Sequence, residues 1–230
     1  MKRFYNDVAI AGRGNSFEVT LDGKPIRTPL RKILLLPTRA IAEAIAAEWE
    51  RAEGTVDPAA MQLTRLASAT TDHGPERDRG VIDNILKFAD SDLLSYRAEV
   101  PELAQRQAAG WDPILAWLAD AYGAHLAVTS GIQPIDHPPD ALSKLRKAVS
   151  ALDDFALMAL IAAAAITGSL ALALAMLGGR LSAKEALGLS RIDETYQSAK
   201  WGEDEEAARR AARLARELEA AANFHRLSRP

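Results

Sequence analysis

The sequence predicts an α+β fold in which a small antiparallel β-rich amino-terminal domain precedes a larger, mostly helical one. Two patterns carry this: apolar and polar residues alternate near the amino terminus, and after Pro37 the apolar period lengthens to helical spacing. Composition agrees, since 48% apolar and 26% charged residues in a chain of 230 support a buried core and argue against disorder. Residues 1–55 are expected to form the β-rich domain, with a soft boundary reaching to about residue 90, and residues 56–230 the helical one.

Phe17, Val19 and Leu21 alternate with Ser16, Glu18, Thr20 and Asp22, which predicts a strand with one wet face. Asp22-Gly23 is a hairpin signal, and the return strand runs from Lys24 to Thr28, with Pro25 arguing that it lies at an edge or begins late. Residues 4–11 and 33–36 supply two further short strands. A sheet this small must pack on something else. Ile41, Ala44, Ile45, Trp49 and Ala52 then form a helical stripe ended by Gly54. Leu63, Leu66, Ala67 and Thr70 mark a second helix, and Val81, Ile82, Ile85, Leu86 and Ala89 a third. Pro101 opens a helix over 102–109, and Asp112-Pro113 opens a separate one carrying Leu115, Leu118 and Tyr122. Residues 126–132 read as a short strand, and 134–139, with three prolines, as a loop. Helices over 142–152 and 182–187, an apolar run between them, and closing helices complete the chain.

The apolar run, residues 155–177, has no charge and is long enough to raise a membrane span. Nine of its 23 residues are alanine and Thr167-Gly168-Ser169 sits at its centre, so a buried helix, or two helices meeting near Gly168, is the preferred reading. A membrane-associated protein using this run stays as an alternative. With 28 basic against 31 acidic residues, the chain lacks the excess that draws proteins onto nucleic acid. No cysteine is present, which rules out disulfides and thiolate chemistry and fits a reducing compartment. The charged start Met1-Lys-Arg-Phe resembles neither a secretory signal nor a transit peptide.

Motifs for catalysis are weak. Gly12-Arg-Gly14-Asn-Ser-Phe17 lacks the third glycine of a dinucleotide fingerprint and leads into a strand where that motif needs a helix. The four histidines, at 73, 125, 137 and 225, show no helical metal-ligand spacing. The acidic run at 203–206 lacks the spaced, glycine-containing loop of a calcium site and suits a helix's first turn, with Gly202 as its N-cap. No catalytic, cofactor or metal site is therefore expected. The enzyme alternative would join Asp72, His73 and Arg97, polar residues near helix ends.

The most specific-looking tract is 189–207. Helical spacing puts Asp193, Gln197 and Trp201 on one face if the helix runs unbroken. Ser190-Arg-Ile-Asp193 has capping-box spacing, which gives Asp193 a structural reading beside the functional one. Farther on, arginines stand at 209, 210, 213 and 216, and the first two are matched at i+3 or i+4 by Glu205 and Glu206, as in a self-paired solvated helix.

Lys2-Arg-Phe-Tyr, Leu21-Asp-Gly-Lys-Pro-Ile-Arg-Thr-Pro29, Leu36-Pro-Thr38, Ala47-Glu-Trp49, Gln62-Leu-Thr64, Trp111-Asp-Pro113 and Tyr196-Gln with Trp201-Gly follow in an order that resembles the ATP synthase assembly chaperones acting on the alpha subunit of the F-one sector, the Atp-twelve family. The resemblance covers nearly the whole chain. It implies a β-rich domain followed by a helical one, a non-catalytic task, and binding of the unassembled alpha subunit until the beta subunit replaces the chaperone. Carried over by position, it implies partner-binding roles for Asp193, Glu194, Tyr196, Gln197 and Trp201, with Gly202 in the same motif. It also implies a chaperone that is monomeric when free. Mitochondrial members carry a presequence absent here, and the alanine- and arginine-rich composition suggests a bacterial cytoplasmic protein.

Overall fold

The alternation at residues 16–21 becomes β2 (Ser16–Leu21), the central strand of a three-stranded antiparallel sheet ordered β1 (Val8–Arg13), β2, β3 (Lys24–Pro25). The computed structural model describes residues 2–73, 79–202 and 204–229, Arg79 by its backbone only. β1 begins later than the pattern suggests because the residues before it pair elsewhere: Lys2 bridges Thr55, and the Arg3 amide donates to the Gly54 carbonyl at 2.9 Å. Leu21 pairs with Lys24 across a two-residue turn in which Asp22 and Gly23 take φ of 48° and 75°. Both are left-handed, as the tight hairpin turn requires. The Asp22 carboxylate accepts the Asn6 and Asp7 amides at 3.0 and 2.9 Å, which hold its carboxyl below the usual range. The return strand is two residues long, although beyond Pro25 the Ile26 amide still donates to the Val19 carbonyl at 2.9 Å.

The helix α1 (Arg39–Glu50) starts at the N-cap Thr38, whose hydroxyl accepts the Ile41 amide at 3.2 Å, and ends before Gly54 reaches its positive φ of 67°. It buries Ile41, Ala42, Ile45 and Ala46. The carboxylate of Glu48 accepts the amides of Leu63 and Thr64, each at 2.8 Å, and so caps α2 (Gln62–His73) from outside.

Two compact units result. Met1–Arg77, Asp153–Ala159 and Asn223–Pro230 form the first, and Asp78–Leu152 with Leu160–Ala222 the second. In the first, Phe155 stacks on the fully buried Phe224 at 5.3 Å between centroids, and the Thr38 hydroxyl donates to the Leu227 carbonyl.

The second unit contains α3 (Arg79–Asp90), a 3-10 turn over Leu93–Ser95, β4 (Tyr96–Arg97), α4 (Pro101–Tyr122), β5 (Thr129–Ser130) and α5 (Pro139–Ser150). The expected break at Asp112-Pro113 does not occur: α4 is one helix with Pro113 inside it. Its buried stripe, Leu103, Gln107, Trp111, Ile114 and Leu118, continues across the proline at helical spacing, while Pro113 faces solvent and forgoes one backbone bond. The strand expected over 126–132 contracts to β5, which pairs in parallel with β4 through Tyr96 and Thr129.

The apolar run folds as α6 (Asp154–Thr167) and α7 (Leu170–Leu177), which meet at Gly168 with φ of 67°. Among the described residues no helix is long and apolar enough to cross a membrane. Ser169 caps α7 through the Leu172 amide at 3.0 Å, and every side chain from Leu170 to Met176 is buried, with α7 packing on α3, α4 and α8 (Ala183–Ser190). A second cap comes from far away in sequence: the fully buried Asp92 carboxylate accepts the Leu94 and Ala171 amides at 3.0 Å each. Loss of solvent raises its carboxyl to about 6, against the opposing pull of these bonds and of Ser169. α8 begins with a complete capping box in which Ser182 and Glu185 bond reciprocally, and α9 (Ile192–Trp201) and α10 (Glu205–Ser228) follow.

Candidate functional site

The α9 helix lies antiparallel along α4, fastened at three levels. At its start, Gly110 gives the room: a Cβ there would meet the tips of Leu189 and Ile192 at 2.9 Å, and Trp111 Nε1 donates to the Leu189 carbonyl at 2.8 Å. One turn on, Gln107 Nε2 donates to Asp193 Oδ1 at 2.7 Å, while Gln107 Oε1 accepts the Ala98 amide at 2.7 Å. Gln107 is almost wholly buried, so its amide holds one orientation. At the far end the Tyr196 hydroxyl donates to Glu102 Oε2 at 3.1 Å and accepts from the Lys200 ammonium, and Arg106 lies over the Tyr196 ring at 5.2 Å. The tyrosine hydroxyl, with Lys200 and Arg106 adding to it, lowers the Glu102 carboxyl, and the same hydroxyl raises the Lys200 ammonium.

These bonds sort the sequence-derived residues. The Asp193 carboxylate presents its second oxygen without a hydrogen-bond partner among the described residues. It is not a capping residue: Arg191 occupies the N-cap position of α9 without a side-chain bond, and the Ser190 hydroxyl turns back to the Leu187 carbonyl at 2.9 Å. Glu194 is exposed, with Arg191 at 3.7 Å. Tyr196 is 4% exposed and engaged in fastening, whereas Gln197 is exposed and Trp201 is 82% exposed. Helix α9 reaches Trp201 unbroken, so Asp193, Gln197 and Trp201 share a stripe that climbs from the α4 contact into solvent.

Gly202 closes α9 instead of opening α10: its φ is 93° and its amide donates to the Ser198 carbonyl at 3.0 Å. The next helix starts at Glu205, and the Asp204 carboxylate accepts the Glu206 and Ala207 amides at 3.3 and 3.4 Å. Glu203 lies outside the described residues. Glu205 pairs with Arg209 at 2.5 Å, as the i+4 spacing predicts.

Gln107 and Gly110 were invisible as site residues from sequence. Their only signal is a polar and a tiny residue on the apolar stripe of α4, three apart. For the enzyme alternative, the structure supplies local duties: Asp72 is buried and accepts the Thr28 hydroxyl at 2.6 Å and the Leu30 amide at 3.1 Å. In the second unit Arg97 binds Asp112 at 2.7 Å and lies over the Trp111 ring at 5.0 Å, its guanidinium lowered by burial. A groove of about 510 Å³ between α3 and α5 includes Asp83, Lys87, Asp90 and Arg146 but none of Asp72, His73 and Arg97. Among the described residues no group of three His, Asp or Glu is placed to hold a metal ion.

The model of the ATP12 chaperone protein family matches residues 2–119. The chain is 25% identical over 219 residues to "Protein atp12, mitochondrial" of Schizosaccharomyces pombe, covering 90% of this chain and 75% of that protein. It superposes on the crystal structure of Atp12 from Paracoccus denitrificans with a TM-score of 0.93 and 42% identity, over 99% of this chain and 98% of that one. The Atu1473 protein of Agrobacterium tumefaciens gives a TM-score of 0.93 at 38% identity, over 98% of this chain and 85% of that one.

Proposed function

Because this chain belongs to the ATP12 chaperone protein family, we propose that it binds the unassembled alpha subunit of the ATP synthase F-one sector and keeps it from aggregating until the beta subunit takes its place. A ring subunit exposes large interfaces before assembly, and covering them blocks off-pathway association. The task needs recognition and no bond-making. The protein acts without catalysis, as a monomer in the bacterial cytoplasm, while eukaryotic relatives work in the mitochondrial matrix.

The observation that carries this reading is the stripe on α9: a carboxylate oxygen on Asp193 and the indole of Trp201, both displayed on a helix that Gln107, Trp111 and Tyr196 hold in place. A rigidly mounted aromatic beside acids is the composition of a protein-binding hot spot. Asp193, Glu194, Gln197 and Trp201 contact a basic and apolar patch on the partner, and Tyr196 acts from beneath by keeping α9 on α4.

Co-expression with an alpha subunit, followed by co-purification and an aggregation assay, tests the reading. Asp193→Asn is the cleanest variant, since its Oδ1 still accepts from Gln107 while the charge is gone. Expected are a melting temperature within about 2 °C of the parent and weaker retention of the alpha subunit. Equal retention by parent and variant would remove Asp193 from the interface; no retention by the parent would overturn the function.

A further inference from the structure

We propose that the end of the second unit bearing Val100, Ile132 and Trp201 is a docking surface for an apolar segment flanked by basic side chains, carried by the unassembled alpha subunit. The partner's identity rests on the function proposed for the chain; the chemistry of the surface rests on its own side chains. Large apolar side chains exposed singly are ordinary, but a group of them marks an interaction site. Ile132 is 92% exposed, Trp201 82% and Val100 48%.

Three contacts bring them to one end. The Lys200 ammonium sits 3.7 Å from Glu102 in the first turn of α4, the helix that Val100 precedes, and Trp201 follows Lys200 at the end of α9. The Gly131 amide donates to the Arg97 carbonyl at 2.9 Å, carrying the following Ile132 alongside the chain that enters α4. Glu99 then covers Gly131, where a Cβ would stand 3.2 Å from Glu99 Oε1.

The charge at this end decides the occupant. Arg106 and Lys200 are both turned onto Glu102 and Tyr196, so their cations are already answered. Glu99 is exposed and has no hydrogen bond or ion pair to any described residue, and one oxygen of Asp193 is likewise open. What this surface presents to a partner is apolar area with unanswered negative charge. An arginine- or lysine-flanked apolar segment complements both, and an acidic one is repelled.

Three variants test it without touching the fold. Val100→Asp introduces a favourable N-cap for α4 while placing charge in the apolar face; Ile132→Asp changes a side chain in open solvent; Glu99→Lys reverses the free charge. The probes are the alpha subunit, and a labelled peptide alternating leucine and arginine read by fluorescence anisotropy against its leucine and glutamate counterpart. Expected is a loss of about tenfold or more in affinity for the alpha subunit and for the arginine peptide in each variant, with melting temperatures preserved and the glutamate peptide unbound. Unchanged alpha-subunit affinity in all three variants overturns the docking surface and leaves the chaperone reading standing. Loss of arginine-peptide binding in the variants, with no alpha-subunit binding by the parent, upholds the surface and overturns that reading. Failure of the parent to bind either probe, or equal binding of the two peptides, overturns the surface.

Discussion

The buried Asp92 makes the stability of this protein depend on pH in a direction opposite to that of a solvent-facing paired carboxylate. Its carboxyl is raised from 3.8 to about 6 by burial, so the folded chain holds a proton more tightly than the unfolded chain does. Between those values the native state carries more protons, and stability therefore falls as pH rises. The contribution is complete below pH 3.8 and lost above about 6. Each pH unit separating the two values is worth about 1.4 kcal/mol, so ionising Asp92 in the fold costs about 3 kcal/mol in all, of which somewhat over 1 kcal/mol falls between about pH 5 and 7.5. Asp92→Asn removes the ionisation and keeps an acceptor oxygen for one of the Leu94 and Ala171 amides, which bond to different oxygens of the carboxylate. Urea unfolding of parent and variant at about pH 5, 6 and 7.5 should show the variant losing ground at the acid end and recovering about 1 kcal/mol at the alkaline end, other titrations cancelling in the difference. A gap that is constant, or that widens with pH, would mean that the cap bonds favour the carboxylate over its protonated form, and the reasoning would fail. Asp92→Ala strands two buried amide donors and should cost about 3 kcal/mol or more near pH 5, a deficit that shrinks by the same amount of about 1 kcal/mol towards pH 7.5.

Two simpler substitutions examine the helix boundaries. Gly168→Ala meets no atom within 4 Å but must hold φ near 67°, so it should lower stability by about 1 kcal/mol, read as the urea midpoint at unchanged slope; a neutral result would mean that the joint relaxes. Ser182→Ala removes the capping box of α8 and should also cost about 1 kcal/mol, with a null effect showing that water replaces the hydroxyl.

What the sequence makes legible here is whatever depends on near neighbours. The alternation at 16–21, the Asp22-Gly23 turn, the stripe on α1 and the split of the apolar run at Gly168 are local patterns, and each appears at its place. Pro113 shows where local reasoning fails: its disruption of a helix is a local preference, and a buried stripe packed on both sides of it overrides that preference. The site was half legible for the same reason. The spacing of Asp193, Gln197 and Trp201 follows from helix geometry, but what Asp193 bonds to is Gln107, 86 positions away, and the capping partner read from Ser190 was only the nearest candidate. Likewise, nothing near Asp92 in sequence announces that it ends at the amino terminus of α7, 79 positions on.

The three-part make-up of the first unit has a consequence for the order in which this protein can be completed. Its sheet and first two helices are translated early, yet the bond from Thr38 to Leu227 spans 189 positions, and the stack of Phe155 on Phe224 also waits for late residues. On the ribosome the early segment must therefore persist unfinished while the whole of the second unit is made. Closing so long a loop is entropically costly and slow. A chain whose family protects other proteins during assembly thus passes through an unfinished stage of its own, and truncation anywhere before Phe224 should leave the amino-terminal sheet without part of its core.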